Sequence, residues 1–147
     1  MSQHLEGKVA IVAGSGRGIG RAHAIALAAE GAHVVVNDPG VERNGDGGTQ
    51  SPADEVVALI RENGGEAVAN YNSVADFSEA EAIIATAVDH YGRLDILVNN
   101  AGISRDGLFH QINEADFDAV VGTHLKGTFN TCRHAVPVMM AQGKGRI

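Results

Sequence analysis

The chain has 147 residues, of which 44% are hydrophobic, and a formal net charge of −7. This length suits one globular domain, and the negative charge argues against broad contact with nucleic acid, which needs clustered Lys and Arg. No apolar run is long enough for a membrane span, and the start lacks the apolar core of a signal peptide. We therefore expect a cytoplasmic protein without membrane contacts, in which the single Cys132 forms no internal disulfide.

Short apolar segments alternate with amphipathic ones along the chain. The first apolar segment, residues 8–13, is followed by the glycine-rich turn AGSGRGIG at 13–20 and an alanine-rich helical segment at 21–30. The other predicted strands are residues 33–37, 67–71 and 94–99. They are mostly apolar on both faces, as expected for strands covered by helices on both sides of a sheet.

Ser51 and Ser78 predict the N-termini of two further helices. Ser51 is an N-cap candidate followed by Pro52, a residue favoured at the first helical position. Ser78 has Glu81 three residues on, which is the spacing of a capping box.

Asn113 predicts the start of a longer helix, with Asp116 in its first turn. We expect this helix to bend near Gly127 and again near Pro137. Repeated strand–helix units predict an α/β fold with a parallel sheet and right-handed crossovers.

The glycine-rich turn lies between a strand and a helix N-terminus, which together make an anion site. Gly14 permits the tight turn, Gly18 lets the backbone approach a pyrophosphate, and Gly20 lets the helix pack closely. The G-x-x-x-G-x-G spacing differs from G-x-G-x-x-G, and the alternative is a flexible turn with no ligand. The candidate cofactor-binding residues in this segment are Gly14, Ser15, Arg17, Gly18, Ile19 and Gly20.

Asp38 ends the second predicted strand, about 20 residues after the last of these glycines. A carboxylate at this place accepts hydrogen bonds from ribose hydroxyls and repels a 2′-phosphate, which favours NAD over NADP. Arg17 and Arg43 leave NADP open, because either could pair with that phosphate. The alternative for Asp38 is a solvated acid at a strand end.

AGSGRGIG, Asp38 and LDILVNNAGISRDG at 94–107 resemble the N-terminal part of a short-chain dehydrogenase/reductase. The resemblance implies a Rossmann-like doubly wound sheet with strand order 3-2-1-4, in which residues 99–102 lie beside the cofactor. It also implies that Ser73 and Val74 flank the adenine. The residues that it places along the adenosine ribose and the nicotinamide are Asn100, Ala101 and Gly102.

A closer likeness lies in VVVNDPG, the long loop VERNGDGGTQS, GGEAVANYNSV and THLKGTF. These stretches resemble the (3R)-hydroxyacyl-CoA dehydrogenase unit of peroxisomal multifunctional (D-bifunctional) enzymes and their bacterial relatives. The likeness implies NAD-dependent oxidation of a small-molecule substrate, a (3R)-hydroxyacyl-CoA, to the 3-oxoacyl-CoA. Ser104, Arg105 and Phe109 are further candidates for contact with substrate, on their position after the NNAG motif alone.

His124 stands where most members of the family carry asparagine in an NLKG motif, and the multifunctional relatives also carry histidine there. In the family the asparagine helps to hold a proton-relay water, so His124 is a candidate catalytic residue. The alternative is that its side chain only packs or caps locally. No cluster of metal-ligand spacing is present, so we expect no metal site.

The family's catalytic serine and Tyr-x-x-x-Lys pair are not found in this sequence. Tyr71 and Tyr91 are followed four residues later by Ala75 and Asp95, and the chain stops where the fifth strand would begin. We therefore expect residues 1–147 to be a dinucleotide-binding domain truncated before the catalytic segment.

Three interpretations remain. The chain is the cofactor-binding half of an NAD-dependent dehydrogenase, a non-catalytic NAD-binding sensor or interaction module, or a relic that neither binds nor folds well. The fourth strand and the long helix would expose apolar surface in such a chain. The resemblance implies a homo-oligomer, a dimer or a tetramer.

Overall fold

A parallel sheet forms the centre of the fold in the computed structural model, which describes residues 4–47 and 49–147. In these residues the strand order is β3-β2-β1-β4, which confirms the predicted topology. The strands are β1 (Val9–Ala13), β2 (His33–Asn37), β3 (Glu66–Asn70) and β4 (Ile96–Asn99). β3 therefore lies one residue earlier than predicted, while β1 and β4 begin later.

Helices cover both faces of the sheet. They are α1 (Gly18–Ala29), α2 (Ser51–Glu62), α3 (Phe77–Tyr91), α4 (Glu114–Val121) and α5 (Gly127–Gln142). Side chains alternate between the two faces of each strand. Ile11 of β1 therefore packs in a core cluster with residues of α3 and α5, while Val12 packs in a second cluster with residues of α1 and α2.

The start of α3 differs from the prediction. Its N-cap is Asp76, whose Oδ1 accepts a hydrogen bond of 2.9 Å from the backbone N–H of Glu79. Ser78 lies inside the first turn and donates its hydroxyl to the same Oδ1 at 2.7 Å. The capping-box prediction at Ser78 is wrong, because Asp76 is placed to satisfy the helix amides and has the stronger acceptor.

Two other helix starts were predicted more closely. α2 begins at Ser51, although the N-cap position is Gln50, and Pro52 lies in the first turn. Asn113 caps α4 as predicted, and its Oδ1 accepts from the backbone N–H of Asp116 at 2.8 Å.

The long helix predicted from Asn113 is interrupted rather than merely bent. A π-helical segment (Gly122–Lys126) separates α4 from α5, and Pro137 lies within α5. Short π-helical segments inside helices are frequent at functional sites.

Asp95 joins the start of β1 to the segment before β4. Its side chain is only 6% exposed and accepts both hydrogen bonds of the Arg93 guanidinium, each 2.7 Å long. It also accepts from the backbone N–H of Val9 at 3.0 Å. Burial alone would raise the pKa of Asp95, but the hydrogen bonds from Arg93 and Val9, with the Arg93 and Lys8 charges, hold it below its usual value.

Asp95→Asn should lower the free energy of unfolding by about 1–3 kcal/mol near neutral pH, because a buried charged hydrogen-bond network is broken. Since the folded pKa of Asp95 is below the unfolded one, its stabilisation is complete above the unfolded value and is lost as the pH falls through the folded value. Urea unfolding at neutral pH and at about pH 3 measures the loss of stability and its dependence on pH. Asp89→Asn, at an exposed site in α3, is the control. A difference between wild type and Asp95→Asn that persisted undiminished in acid would contradict the assignment.

Candidate functional site

A cleft of about 950 Å³ opens at the carboxyl edge of the sheet. It lies beside the ends of β1, β2 and β4, where the chain crosses from one side of the sheet to the other and where doubly wound sheets bind ligands. Its volume is that of a small-molecule or cofactor pocket. It is lined by residues within the segments 14–19, 37–45, 73–75, 100–105 and 118–123.

The glycine-rich turn forms one wall of the cleft. Gly14 and Gly18 have φ values of +68° and +57°, in the left-handed region that favours glycine. A Cβ added to Gly14 would lie 2.7 Å from Cα of Ala101, whereas one added to Gly18 would meet no atom of the described residues within 4 Å. Gly14 therefore packs against the protein, and the Gly18 backbone is open to the cleft.

The N-terminus of α1 is suited to an anion. Among the described residues no side chain caps this helix, and its first turn contains no acidic residue. Its first amides and the positive end of its dipole are therefore available to a phosphate group. Gly20 lies behind the turn, where an added Cβ would meet the carbonyl oxygen of Gly14 and the Asn100 side chain.

Asp38 lies against the glycine-rich turn at the wall of the cleft. Its Oδ2 accepts from the backbone N–H of Gly16 at 2.8 Å, and its Oδ1 accepts from the backbone N–H of Gly40 at 2.7 Å. A Cβ on Gly16 would lie 2.7 Å from that Oδ2. Each carboxylate oxygen can accept a second hydrogen bond, so Asp38 holds the turn and can still accept from ribose hydroxyls.

The NNAG motif is anchored on both sides. Asn99 accepts from the Thr131 hydroxyl of α5 at 2.6 Å through its Oδ1. Asn100 donates its Nδ2 to the carbonyl oxygens of Gly14 at 2.9 Å and Ala13 at 3.2 Å. These contacts fix the segment after β4 against the glycine-rich turn, so the two walls of the cleft keep a fixed position relative to each other.

His124 lies in the π-helical segment and contacts the chain just after NNAG. A Cβ on Gly102 would lie 2.5 Å from Cε1 of the imidazole. The His124 Nε2 is 2.9 Å from the carbonyl oxygen of Ile103 and 3.2 Å from its backbone nitrogen, so one tautomer donates and the other accepts. The side chain thus positions the loop after β4, and its role in a proton relay stays a prediction.

Most of the predicted site residues meet at this cleft. Ser15 and Gly20 do not line it: Ser15 is buried and donates its hydroxyl to the carbonyl oxygen of Val12 at 2.7 Å. His124 lies next to the lining. The predicted residues that do line the cleft are Gly14, Arg17, Gly18, Ile19, Asp38, Ser73, Val74, Asn100, Ala101 and Gly102.

Sequence reasoning missed other lining residues. Asn37 is fully buried and donates its Nδ2 to Oδ1 of Asn70 at 2.9 Å, while its own Oδ1 has no hydrogen-bond partner among the described residues. Asp118 and Thr123 also line the cleft, and their only sequence signal is a position near the predicted bend.

Arg17 faces Glu42 across the mouth of the cleft. Their charged groups are 3.6 Å apart, and the two side chains are 58% and 68% exposed. An ion pair this exposed contributes little, so it leaves Arg17 able to turn towards a phosphate.

Neither tyrosine has the properties of the family's catalytic group. A hydrogen bond to the Asp54 carboxylate raises the pKa of Tyr71. Burial raises the pKa of Tyr91 to about 12. A catalytic tyrosine whose pKa is lowered by a lysine would show the opposite shift.

Within residues 4–47 and 49–147, no helix has the length and apolar character that a bilayer crossing requires. The same part of the chain brings together no group of three or more His, Cys, Asp or Glu side chains suited to a metal ion.

Comparison with known proteins agrees with this geometry. The family model described as short chain dehydrogenase matches residues 8–147. A Mycobacterium tuberculosis protein, named as a short-chain type dehydrogenase/reductase, is 48% identical over 97% of this chain and 50% of its own length. The peroxisomal multifunctional enzyme type 2 of Drosophila melanogaster is 50% identical over 97% of this chain and 23% of its own.

A solved structure is similar as well. The crystal structure of a short chain dehydrogenase from Mycobacterium avium has a TM-score of 0.85 and 51% identity, and the match covers 95% of this chain and 48% of that one. This chain therefore spans about half, or less, of the length of these relatives.

Proposed function

Because the chain belongs to the short chain dehydrogenase family, we propose that it forms the NAD-binding half of an oxidoreductase. The reaction is hydride transfer between a nicotinamide and a secondary alcohol or ketone. The observation that carries the proposal is the cleft itself, in which a glycine-rich turn, an uncapped helix N-terminus and a strand-end carboxylate meet. The proposed reaction is one for a protein of the relatives' full length, since this chain matches 48% of the Mycobacterium avium structure.

The proposed cofactor has a place for each of its parts. The backbone of Gly18 and the N-terminus of α1 would hold the pyrophosphate, and Asp38 would accept from the ribose hydroxyls. Ser73 and Val74 would flank the adenine. Residues 100–102, which the Asn100 hydrogen bond holds against the glycine-rich turn, would line the nicotinamide end. NAD, when bound, supplies the hydride acceptor; these residues bind and orient it.

NAD is proposed over NADP because of the position of Asp38. Its carboxylate is fixed by the amides of Gly16 and Gly40, so it cannot turn away from a 2′-phosphate without losing both hydrogen bonds. A fixed anion facing a phosphate is unfavourable, whereas the same anion accepts hydrogen bonds from the 2′- and 3′-hydroxyls of NAD. Arg17 opposes this preference only weakly, because its side chain is 58% exposed and solvent screens its attraction for a 2′-phosphate.

The proposed substrate is a (3R)-hydroxyacyl-CoA. Support comes from the identity to the peroxisomal multifunctional enzyme and from the His124 variant that the chain shares with that subgroup by resemblance. We also propose that the protein is a homo-oligomer, because Phe117, Leu125 and Phe129 are exposed on and between α4 and α5.

The test measures how fast the whole protein reduces NAD, through the absorbance of the reduced nicotinamide. The substrates compared are (3R)-hydroxyacyl-CoA, (3S)-hydroxyacyl-CoA and a simple secondary alcohol. We expect turnover with the (3R) thioester and little with its (3S) epimer. Turnover of the simple alcohol alone would contradict the proposal that a (3R)-hydroxyacyl-CoA is the substrate. NAD binding without turnover of any of these compounds would instead favour a non-catalytic NAD-binding module.

A further inference from the structure

The described residues of the loop that follows β2, 38–47 and 49–50, are joined by backbone hydrogen bonds. The backbone N–H of Thr49 donates to the carbonyl oxygen of Gly40 at 3.1 Å and closes the base of the loop. Two further backbone hydrogen bonds, of 2.9 and 2.8 Å, join Glu42 to Asp46 and Gly45 to Glu42. We call residues 41–47 the strap, since these contacts join them into one unit.

The strap rests on the loop that follows the NNAG motif. The backbone N–H of Ser104 donates to the carbonyl oxygen of Arg43 at 3.0 Å. Gly45 has a φ of +91°, and a Cβ added there would lie 3.0 Å from Cδ1 of Ile103. The two loops are therefore packed together across the cleft mouth, and residues of both line the cleft.

Arg105 fastens this contact. Its Nε donates to the carbonyl oxygen of Asn44 at 2.9 Å, and its outer nitrogens reach Oδ1 of Asp46 at 3.1 Å and Oδ1 of Asp116 at 2.9 Å. The arginine side chain is only 23% exposed. Its planar guanidinium therefore donates to three acceptors at once and joins the strap to α4. Lysine cannot reproduce this geometry.

We propose that Arg105 is a positioning residue that latches the strap over the cleft and thereby sets the rate at which bound NAD leaves. This inference rests on the proposed function, because it needs NAD in the cleft. The strap supplies a wall from Val41 to Gly45, and the cofactor site lies between that wall and the glycine-rich turn. In the structure the Arg105 guanidinium engages the strap and α4, and its contact with substrate stays a prediction.

The first test needs no cofactor. Trypsin cleaves after Arg43, and the carbonyl oxygen of that peptide bond is held by Ser104. Arg105→Met should free the strap and raise the initial rate of cleavage at Arg43 several-fold, because proteolysis follows the population of opened loop. Arg133→Met, at an exposed site in α5, is the matched control and should leave that rate unchanged. Equal cleavage in all three proteins would overturn the latch.

The second test measures release of NADH from the whole protein by stopped-flow fluorescence. We expect Arg105→Met to release NADH about tenfold faster, the scale of losing a charged hydrogen-bonded pair. Arg105→Lys should restore part of the slow release, and Arg133→Met should match wild type. Salt at about 1 M should speed release from the wild type more than from Arg105→Met, since the Arg105 ion pairs are then screened.

The outcomes separate the two proposals. Wild-type protein that binds no NADH would overturn the proposed function and, with it, the control of release. If NADH binds normally but dissociates from wild type and from Arg105→Met at the same rate, the latch alone is overturned. Faster release with unchanged thermal stability would support it, because a merely structural defect would also lower the melting temperature.

Discussion

Asp38→Ala is expected to weaken NAD binding by about tenfold to a hundredfold and to abolish the preference for NAD over NADP. The carboxylate accepts from the amides of Gly16 and Gly40, and hydrogen bonds to a charged group contribute about 1.5–3 kcal/mol each. Its removal loses the ribose contacts and also loosens the turn that holds the pyrophosphate. Calorimetric titration with NAD and with NADP gives both dissociation constants.

Two comparisons sharpen this prediction. Asp38→Asn keeps one acceptor oxygen but removes the charge, so it should recover part of the NAD affinity while still tolerating NADP better than wild type. Asp89→Asn on α3 should change neither constant. If the ratio of the NAD and NADP constants stayed the same in Asp38→Ala, the carboxylate would not be the element that selects between them.

Gly20→Ala is expected to lower the free energy of unfolding by about 3 kcal/mol or more and to abolish measurable NAD binding. The added Cβ would enter the contact between the carbonyl oxygen of Gly14 and the Asn100 amide, which are joined by a hydrogen bond of 2.9 Å. Overpacking against backbone costs about 1–3 kcal/mol, and the broken hydrogen bond adds to that cost. Urea unfolding and calorimetry measure the two losses.

The matched control is Gly107→Ala. In the part of the chain that the structure describes, a Cβ at Gly107 meets only Cγ1 of Ile112, at 3.5 Å, which is an ordinary contact. This variant should bind NAD like wild type and change the stability by less than about 0.5 kcal/mol. If the two alanine variants behaved alike, close packing at Gly20 could not explain why glycine stands there.

Local sequence patterns predict the parallel sheet and the helices that cover it, whereas the strand order 3-2-1-4 was implied by the family resemblance. Val34, Val35 and Val36 form a β-branched run that is buried on both faces, and such a run between two amphipathic helices fits only the middle of a parallel sheet. The positions of Gly14 and Asp38 at the ends of β1 and β2 then bring both to the same cleft. Because these features depend on neighbours in sequence, periodicity and turn chemistry predict them.

Other features depend on contacts between segments far apart in the chain. Whether Asp76 or Ser78 caps α3 is decided by where the chain enters the helix, and both residue types are good caps. The two acidic residues paired with Arg105 lie 59 and 11 residues from it, and no periodicity marks them as a set. The π-helical segment at Gly122–Lys126 was visible only as a glycine-containing stretch where a bend was expected.

Amide hydrogen exchange with and without saturating NAD tests the central claim most directly, because it reports both binding and its location. Bound NAD should slow exchange in the glycine-rich turn at 14–20, in the strap and in residues 100–105, and leave the C-terminal half of α2 unchanged. Exchange in the glycine-rich turn that saturating NAD does not alter, or protection confined to another surface, would contradict the assignment of this cleft as an NAD site.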